Sequence, residues 1–473
     1  MVPGIGRMHR INRIHFIGIG GVGMSGIAEV LCNRGYEITG SDITNGSTID
    51  HLRAMGVKVI VGHQAGNVVG TDVVVVSSAI LESNVEVIAA HEHRIPVVPR
   101  AEMLAELMRF HHSIAVSGSH GKTTTASLVA SILEAAGQDP TLVLGGRLKS
   151  VGSHARLGKS RYFVAEADES DASFIRLHPI LAVVTNIDQD HMATFNHDQR
   201  RLDEAFLTFL HNLPFYGAAI LCGDDPGIRR IFPEISRFAL TYGWSEQNDY
   251  RVTDLQMQDR KCRVRIVRPD RYPDLDILVP MPGRHNILNA MAAVAVATYE
   301  GVDDEYIKNG LQAFSGVNRR MEFYPDIFLR GNRCDLIDDY GHHPTEIRVV
   351  VETIRELWPR RRLVMVFQPH RYSRTRDLYD EFVVALDRVD ILVMLDVYAV
   401  SGEEIVSGAS ASDLCRSIRQ RKHLDPFYAT DMDEAAGLLA DICRPDDLIV
   451  VQGAADISRL KDILLEYDNA GFG

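Results

Sequence analysis

The chain has 473 residues, 24% of them charged and 46% hydrophobic, which is an ordinary globular balance with room for about two to four domains. Its formal net charge of −13 speaks against a nucleic-acid partner, which needs a basic face. The apolar run 287–299 is too short to cross a bilayer, and the apolar stretch 14–32 is broken by glycines and Glu29, so neither a membrane span nor a signal peptide is expected. Six cysteines (32, 222, 262, 334, 415 and 443) stand far apart with no C-x-x-C spacing, as expected of reduced thiols in a cytoplasmic protein.

The first hundred residues alternate apolar runs with helical patterns. Strands are predicted over 14–18, 36–40, 57–61, 72–77 and 96–98, with a helix over 24–33 and another over 101–110. This is the rhythm of βαβ units and a parallel sheet. A second unit starts near residue 111, with strands over 113–116, 162–165, 182–185 and 218–221 and a helix over 123–136. Its strands read as continuous apolar runs, as parallel strands covered on both faces do. Between residues 250 and 279 the pattern changes to short strands with turn signals, read as a small antiparallel appendage, and a helix follows over 286–299. A third unit starts near residue 326, with strands over 334–337, 363–367, 391–395 and 448–451. The expected class is therefore α/β in three domains.

Polar clusters fall just after these strands, where doubly wound sheets place ligands. Gly18, Gly20 and Gly23 fit G-x-G-x-x-G, so a diphosphate is expected at the helix that follows; Asp42, ending the second strand, is placed to meet a ribose. NAD and another diphosphate fit this loop equally. After the strand over 113–116, Gly118-Ser119-His120-Gly121-Lys122-Thr123 forms a G-x-x-G-K-T loop, shorter than the common phosphate loop, whose first glycine would fall at Val116. Its N–H groups suit phosphate oxygens, Lys122 their charge, and the Thr123 hydroxyl a magnesium ion. Glu166, heading the acidic run Glu166, Asp168, Glu169 and Asp171, is placed to hold magnesium through a hard carboxylate oxygen. His191, after the next strand, is read as a second metal ligand or a phosphate-orienting group.

His285, Asn286 and Asn289 open the 286–299 helix. Asn286 is either its N-cap or, with Asn289, a reader of an adenine edge. Arg319 and Arg320 suit phosphate. In the third unit, Tyr340-Gly341-His342-His343 and His370-Arg371-Tyr372-Ser373-Arg374 suit a carboxylate-bearing ligand.

Taken in order, Gly18-Ile19-Gly20-Gly21-Val22-Gly23-Met24-Ser25-Gly26, Gly118-Ser119-His120-Gly121-Lys122-Thr123-Thr124-Thr125, Glu166-Ala167-Asp168-Glu169-Ser170-Asp171, Asp339-Tyr340-Gly341-His342-His343-Pro344 and Phe367-Gln368-Pro369-His370-Arg371 resemble the Mur ligases over nearly the whole chain. The resemblance implies a Rossmann-like UDP-sugar domain over 1–110, a central ATP-binding domain over 111–325 and a Rossmann-like amino-acid domain over 326–473. It implies Gly20, Gly21, Val22 and Gly23 at the UDP diphosphate, with Ser41, Asp42 and Ser77 as further nucleotide contacts. ATP would meet Gly118, Ser119, His120, Gly121, Lys122, Thr123, Thr124, His285, Asn286, Asn289 and Arg320. Magnesium, or manganese in its place, would meet Thr123, Glu166 and His191. Tyr340, His370, Arg371 and Arg374 would receive the amino acid, with Lys122, His342, His370, Arg371 and Arg374 in catalysis. The implied reaction is ATP-dependent ligation of L-alanine to the carboxylate of UDP-N-acetylmuramate through an acyl phosphate, in a monomer or weak homodimer. Rival readings are a ligase that recycles a whole peptide onto the same sugar, a NAD-dependent oxidoreductase and a non-catalytic nucleotide switch. Two departures from the family pattern are Ala193, where an acidic residue is expected, and Ala455, where a glycine is usual.

Overall fold

The computed structural model describes residues 8, 10–77, 79–145, 155–258, 260–400 and 403–467. They form three sheets in two compact units, 1–317 and 318–473.

The first sheet has the all-parallel order β3-β2-β1-β4-β5. Its strands are β1 (Arg13–Ile17), β2 (Glu37–Asp42), β3 (Lys58–Val61), β4 (Val73–Val76) and β5 (Val97–Pro99), linked by α1 (Val22–Asn33), α2 (Ser47–Ala54) and α3 (Val85–Glu92) and followed by α4 (Arg100–Met108). The order reverses between β1 and β4, so the crevice at their carboxyl ends is the place this topology offers a ligand. The glycine loop follows β1 there, and Ser77 follows β4.

The second sheet has ten strands in the order β15-β14-β13-β12-β11-β10-β6-β9-β7-β8. They are β6 (His112–Ser117), β7 (Thr141–Val143), β8 (Ala155–Arg156), β9 (Tyr162–Glu166), β10 (Leu181–Val184), β11 (Ala218–Cys222), β12 (Ala239–Gly243), β13 (Tyr250–Gln258), β14 (Lys261–Val267) and β15 (Leu275–Val279). The helices are α5 (Lys122–Ala135), α6 (Gln199–His211), α7 (Pro226–Ile231), α8 (Arg284–Tyr299) and α9 (Asp304–Ala313). The expected antiparallel appendage is present, but it is an extension of this sheet, because β13 pairs in parallel with β12 before β14 and β15 turn antiparallel. The uncharged run of α8 is buried all round against the sheet and α5, which is why it is apolar on every face. Among the described residues no helix is long and apolar enough to cross a membrane.

One hydrophobic core runs from Met24 and Ala28 of α1 through Leu142 and Ala155 to the second sheet, so the first two of the three domains pack into one compact unit.

The third sheet has the order β16-β17-β21-β18-β19-β20. Its strands are β16 (Glu322–Leu329), β17 (Asn332–Asp339), β18 (Leu363–Phe367), β19 (Ile391–Leu395), β20 (Phe427–Ala429) and β21 (Leu448–Gln452). The helices are α10 (Pro344–Leu357), α11 (Tyr372–Asp377), α12 (Tyr379–Leu386), α13 (Ala411–Gln420), α14 (Met432–Ile442) and α15 (Ser458–Glu466). All strand pairs are parallel except β16–β17. That pair is a hairpin turning on Arg330 (φ 46°) and Gly331 (φ 79°), two left-handed residues that match the twist of the strands they join. The boundary expected at 325/326 would cut β16 and strip this ladder; the chain divides instead at 317/318.

Candidate active site

The phosphate loop leaves β6 at Ser117 and enters α5 at Lys122. Its two glycines are needed for different reasons. Gly118 sits at φ 123°, and a Cβ there would lie 2.2 Å from Thr185 Oγ1. Gly121 caps the helix at φ 84°, and its Cβ would lie 2.5 Å from Asn289 Oδ1. The neighbouring strand β10 supplies the loop's fastening. His120 N–H donates to Asn186 Oδ1 (2.8 Å), and the His120 carbonyl accepts from Asn186 Nδ2 (3.0 Å) and Thr185 Oγ1 (2.6 Å). The His120 ring lies 3.0 Å from Asp188 Oδ2.

Lys122 Nζ donates to the carbonyl of Gly118 (2.7 Å) and to both oxygens of Glu169 (2.8 and 3.0 Å). Glu169 is 2% exposed. The lysine expected to neutralise phosphate thus rests on a buried carboxylate to which sequence reasoning had assigned no task. Burial and the nearby Asp168 push the Glu169 carboxyl up to about 7 against the pull of Lys122. Burial also lowers the Lys122 ammonium, but Glu169, Asp168 and Glu166 outweigh it and hold it above its ordinary value.

Glu166 ends β9, directly beside β6, and accepts from Gly145 N–H (2.6 Å). Burial raises its carboxyl, opposed by Gly145, the adjacent Thr123 hydroxyl and Lys122. Two hard oxygens, one of them a carboxylate that loses solvation, fit a divalent cation in their chemistry. His191 lies on the turn after β10 in a left-handed conformation (φ 54°), its Nε2 3.4 Å from Asp190 Oδ2.

Asn286 does not cap α8. Gly283 (φ 96°) holds that position, and Asn286 lies in the first turn, its amide donating to Pro282 O (2.7 Å). Asn289 Nδ2 donates to Asn286 Oδ1 (3.3 Å), and its own Oδ1 accepts from Thr125 (3.1 Å). The two asparagines, both buried, clamp α8 to α5 behind the phosphate loop. His285 precedes them on α8, and Thr124 is buried within α5.

In the glycine loop, Gly20 N–H donates to Asp42 Oδ2 (2.8 Å), and Asp42 Oδ1 accepts from Thr44 N–H and Oγ1 (both 3.1 Å). Asp42 braces the loop with both oxygens. Ser41 is fully buried and donates to Glu86 (2.5 Å), so its hydroxyl belongs to the interior and not to the loop surface. Gly18 (φ 79°) passes close to Ser77, whose Cβ would lie 3.3 Å from a Cβ on the glycine. Gly21 precedes α1, whose first residue, Val22, is exposed. At Gly23 a Cβ would lie 2.9 Å from Nη1 of Arg100, the first residue of α4.

In the second unit, Tyr340 follows β17 and stacks under both Arg319 and Arg320 (5.3 Å each). Arg319 also donates to the carbonyls of Gly453 (2.6 Å) and Ala455 (3.1 Å), tying down the loop that carries the unusual alanine. Arg320 lies 3.5 Å from Glu346. The His342 ring stands edge-on to Tyr340 (5.5 Å) and to His370 (5.6 Å), and His370 stacks on Tyr398 (5.6 Å, 13°). Arg374 is buried, its Nη1 3.4 Å from His370 Nδ1. Arg371 takes φ 72°, a strained conformation for a side-chain-bearing residue and of the kind stored at functional sites. Glu403 caps this turn, accepting from Ser373 N–H (3.0 Å) and Oγ (2.6 Å).

Three family models match the chain in succession: the Mur ligase family, catalytic domain, over residues 13–112; the Mur ligase middle domain over 116–297; and the Mur ligase, glutamate ligase domain, over 319–455. The chain belongs to the Mur ligase family. Mur ligases are ATP-dependent, amide-forming ligases of peptidoglycan synthesis, and this activity is the chain's own. Among solved structures, the chain is similar to the UDP-N-acetylmuramate-alanine ligase of Thermotoga maritima at 26% identity and TM-score 0.80, covering 97% of this chain and 99% of that one. It shares the fold of a murein peptide ligase from Psychrobacter arcticus (23% identity, TM-score 0.70, 96% and 98% covered). A UDP-N-acetylmuramate:L-alanyl-gamma-D-glutamyl-meso-diaminopimelate ligase from Neisseria meningitides matches 65% of this chain and 100% of its own at 27% identity, TM-score 0.60.

Several Mur ligase residues with evident work were missed by sequence reasoning. Thr185, Tyr398, Glu403 and Arg100 carry no motif signal. Glu169 lay inside a recognised acidic run, and its spacing from Lys122 gave no sign that the two meet. Asn186 was visible as a polar residue directly after an apolar strand of the phosphate-loop sheet, a usable signal.

Proposed function

We propose that this Mur ligase joins L-alanine to the lactyl carboxylate of UDP-N-acetylmuramate, with magnesium as the metal. The observation that carries the reading is the presence in one unit of two unlike strand–glycine–helix loops. One is built around Lys122, Thr123 and Glu166 for a triphosphate, and the other, at Gly18–Gly23, has no lysine and suits a diphosphate. Alanine, and not a whole peptide, is supported by the full-length likeness to the Thermotoga enzyme and by the Gly23-Met24-Ser25-Gly26 run.

A carboxylate cannot acylate an amine in water because oxide is a poor leaving group. In the proposed reaction a carboxylate oxygen attacks the γ-phosphorus of ATP; the bond to the β-bridging oxygen breaks, and ADP and an acyl phosphate form. The alanine amine then attacks the acyl carbon, the bond to the phosphate oxygen breaks, and phosphate leaves. Such steps need positioning and charge neutralisation more than covalent help from the protein. The backbone N–H groups of Gly121 to Thr124 at the start of α5 cradle the phosphates, and Lys122 turns from Glu169 toward the transferring group. Thr123 and Glu166, with His191, are the residues that would hold magnesium, which when bound offsets phosphate charge. Arg371 and Arg374 take the amino-acid carboxylate, His342 or His370 accepts the ammonium proton, and Tyr340 and Arg320 line the same face of the second unit. Asn286 and Asn289 act by holding the phosphate-loop helix, leaving His285 as the adenosine contact of that trio.

The test is ADP release with UDP-N-acetylmuramate and each of alanine, serine, glycine and a murein tripeptide, followed by the product's mass. Alanine-stimulated release with an alanyl product is expected. Release with the tripeptide alone would make the chain a recycling ligase and sink the alanine reading.

A further inference from the structure

The glycine loop lacks a positive charge of its own. No lysine or arginine occurs from Gly18 to Glu29, and the carboxylate nearest the loop, Asp42, adds a negative one. A helix N-terminus contributes about half a charge against the two or so that a diphosphate brings. A cation from elsewhere is required, and the fold delivers one. Arg100 opens α4 after the edge strand β5, and its side chain lies across α1 so that Nη1 and Cδ fill the space a Cβ at Gly23 would take (2.9 and 3.2 Å).

The Arg100 side chain is only 17% exposed, yet among the described residues it makes no hydrogen bond. Its charged neighbours are Asp168 Oδ2 at 3.7 Å and Asp171 Oδ2 at 3.8 Å, close enough for attraction and too far for bonding. None of its nitrogens is fully buried, so its N–H donors, without a protein acceptor at bonding distance among the described residues, are open to an arriving anion. Asp168 is also one of the carboxylates whose charge acts on Lys122, and Lys122 itself pairs with Glu169 of the same run at 2.8 Å. The acidic run therefore sits between the cation of the phosphate loop and the cation of the glycine loop.

We propose that Arg100 is the anion-binding side chain of the glycine loop, parked on Asp168 and Asp171 until an anionic oxygen of the UDP-sugar takes its guanidinium. This rests on the reading of that loop as the UDP-sugar site. Two oxygens have the right chemistry: the diphosphate, which lies over the helix N-terminus, and the sugar's lactyl carboxylate. Transfer of the guanidinium to either leaves Asp168 to Lys122 alone, so Asp171 acts as a brake on UDP-sugar binding. Gly23 is required because any side chain there would displace the arginine.

Calorimetric titration of the full-length chain with UDP, UDP-N-acetylglucosamine and UDP-N-acetylmuramate tests this. Arg100→Ala is expected to weaken UDP-N-acetylmuramate about tenfold or more, with Arg100→Lys between the two and ADP affinity unchanged in both. Asp171→Asn is expected to tighten the UDP-sugar a few-fold, roughly the loss of one weak ion pair. A loss seen already with UDP assigns the diphosphate; a loss confined to UDP-N-acetylmuramate assigns the carboxylate. Wild-type affinity in Arg100→Ala overturns the inference. If that variant does not fold, unchanged affinity in Asp171→Asn overturns it instead. A wild-type chain that binds none of the three probes breaks the UDP-sugar reading, and this inference with it.

Discussion

Two loops in the first unit solve similar problems by different routes. Each leaves a central strand of a parallel sheet, turns on glycine and opens a helix whose N–H groups face outward. The phosphate loop carries its cation within itself: Lys122 is the first residue of α5 and is held by Gly118 O and Glu169. The glycine loop opens α1 with an apolar residue, Val22, is braced by Asp42, and borrows Arg100 from the far edge of its sheet. The difference extends to the carboxylates beneath them. Burial alone would raise Glu86, which is tied to the glycine loop through Ser41, whose carbonyl accepts from Gly18 N–H (2.8 Å), but His15, Ser41 (2.5 Å) and Asn67 (2.5 Å) surround it and pull its pKa down to about 2. Glu169, beside the phosphate loop, is pushed up to about 7 by burial and the neighbouring Asp168, against the pull of Lys122. A local cation makes a loop recognisable and places its counter-ion under strain; an imported cation leaves the loop nondescript and its support relaxed.

The largest effect separating the loops should come from Lys122→Met. Ligation, followed as ADP release, should fall by about 10³-fold or more, as expected when the main charge on a transferring phosphoryl group is removed. UDP binding should survive. Loss of both would mean the two loops are not independent sites.

Next comes the acid limb of stability. The Glu86 carboxyl has a lower pKa folded than unfolded, so it adds stability above about pH 4.5 that disappears as pH falls toward about 2. Glu86→Gln should cost about 3 kcal/mol at pH 6, read from urea midpoints, and should flatten the wild-type slope between pH 5 and 3. An unaltered slope would show that the network does not hold the charge.

The smallest effect has the opposite sign. Glu169 binds its proton more tightly in the fold, so its contribution grows as pH drops from about 7 toward 4.5 and is lost as pH rises through 7. Glu169→Gln should therefore remove a decline in stability between pH 5 and 8, measured as the melting temperature. If the variant steepens that decline, Lys122 dominates the pair and the contrast with Glu86 collapses.

Local order carried most of the readable information. The strands over 363–367 and 391–395 were predicted to the residue because fully buried parallel strands are unbroken apolar runs. β16 was missed because Pro325 and Asp326 interrupt its apolar residues and read as a turn; in the fold they form the irregularity where the register against β17 shifts between Tyr324 and Ile327. Ser41 shows the converse. A serine at a strand end reads as a nucleotide contact, but only the packing of α3, which brings Glu86 to it, shows that it faces inward.

By itself the sequence determined the loops: strand, glycines, Lys122 and Thr123 lie within a dozen residues, and backbone sterics with helix capping dictate their conformation locally. It also determined the family, through motifs kept in order. Tertiary structure alone decided which charges meet. Glu169 reaches Lys122 because β9 lies beside β6, Asn289 reaches Gly121 because α8 packs on α5, and Arg100 reaches Gly23 because β5 sets α4 against α1. Coulombic partners are chosen by strand order and burial, neither of which is a property of neighbouring residues in the chain.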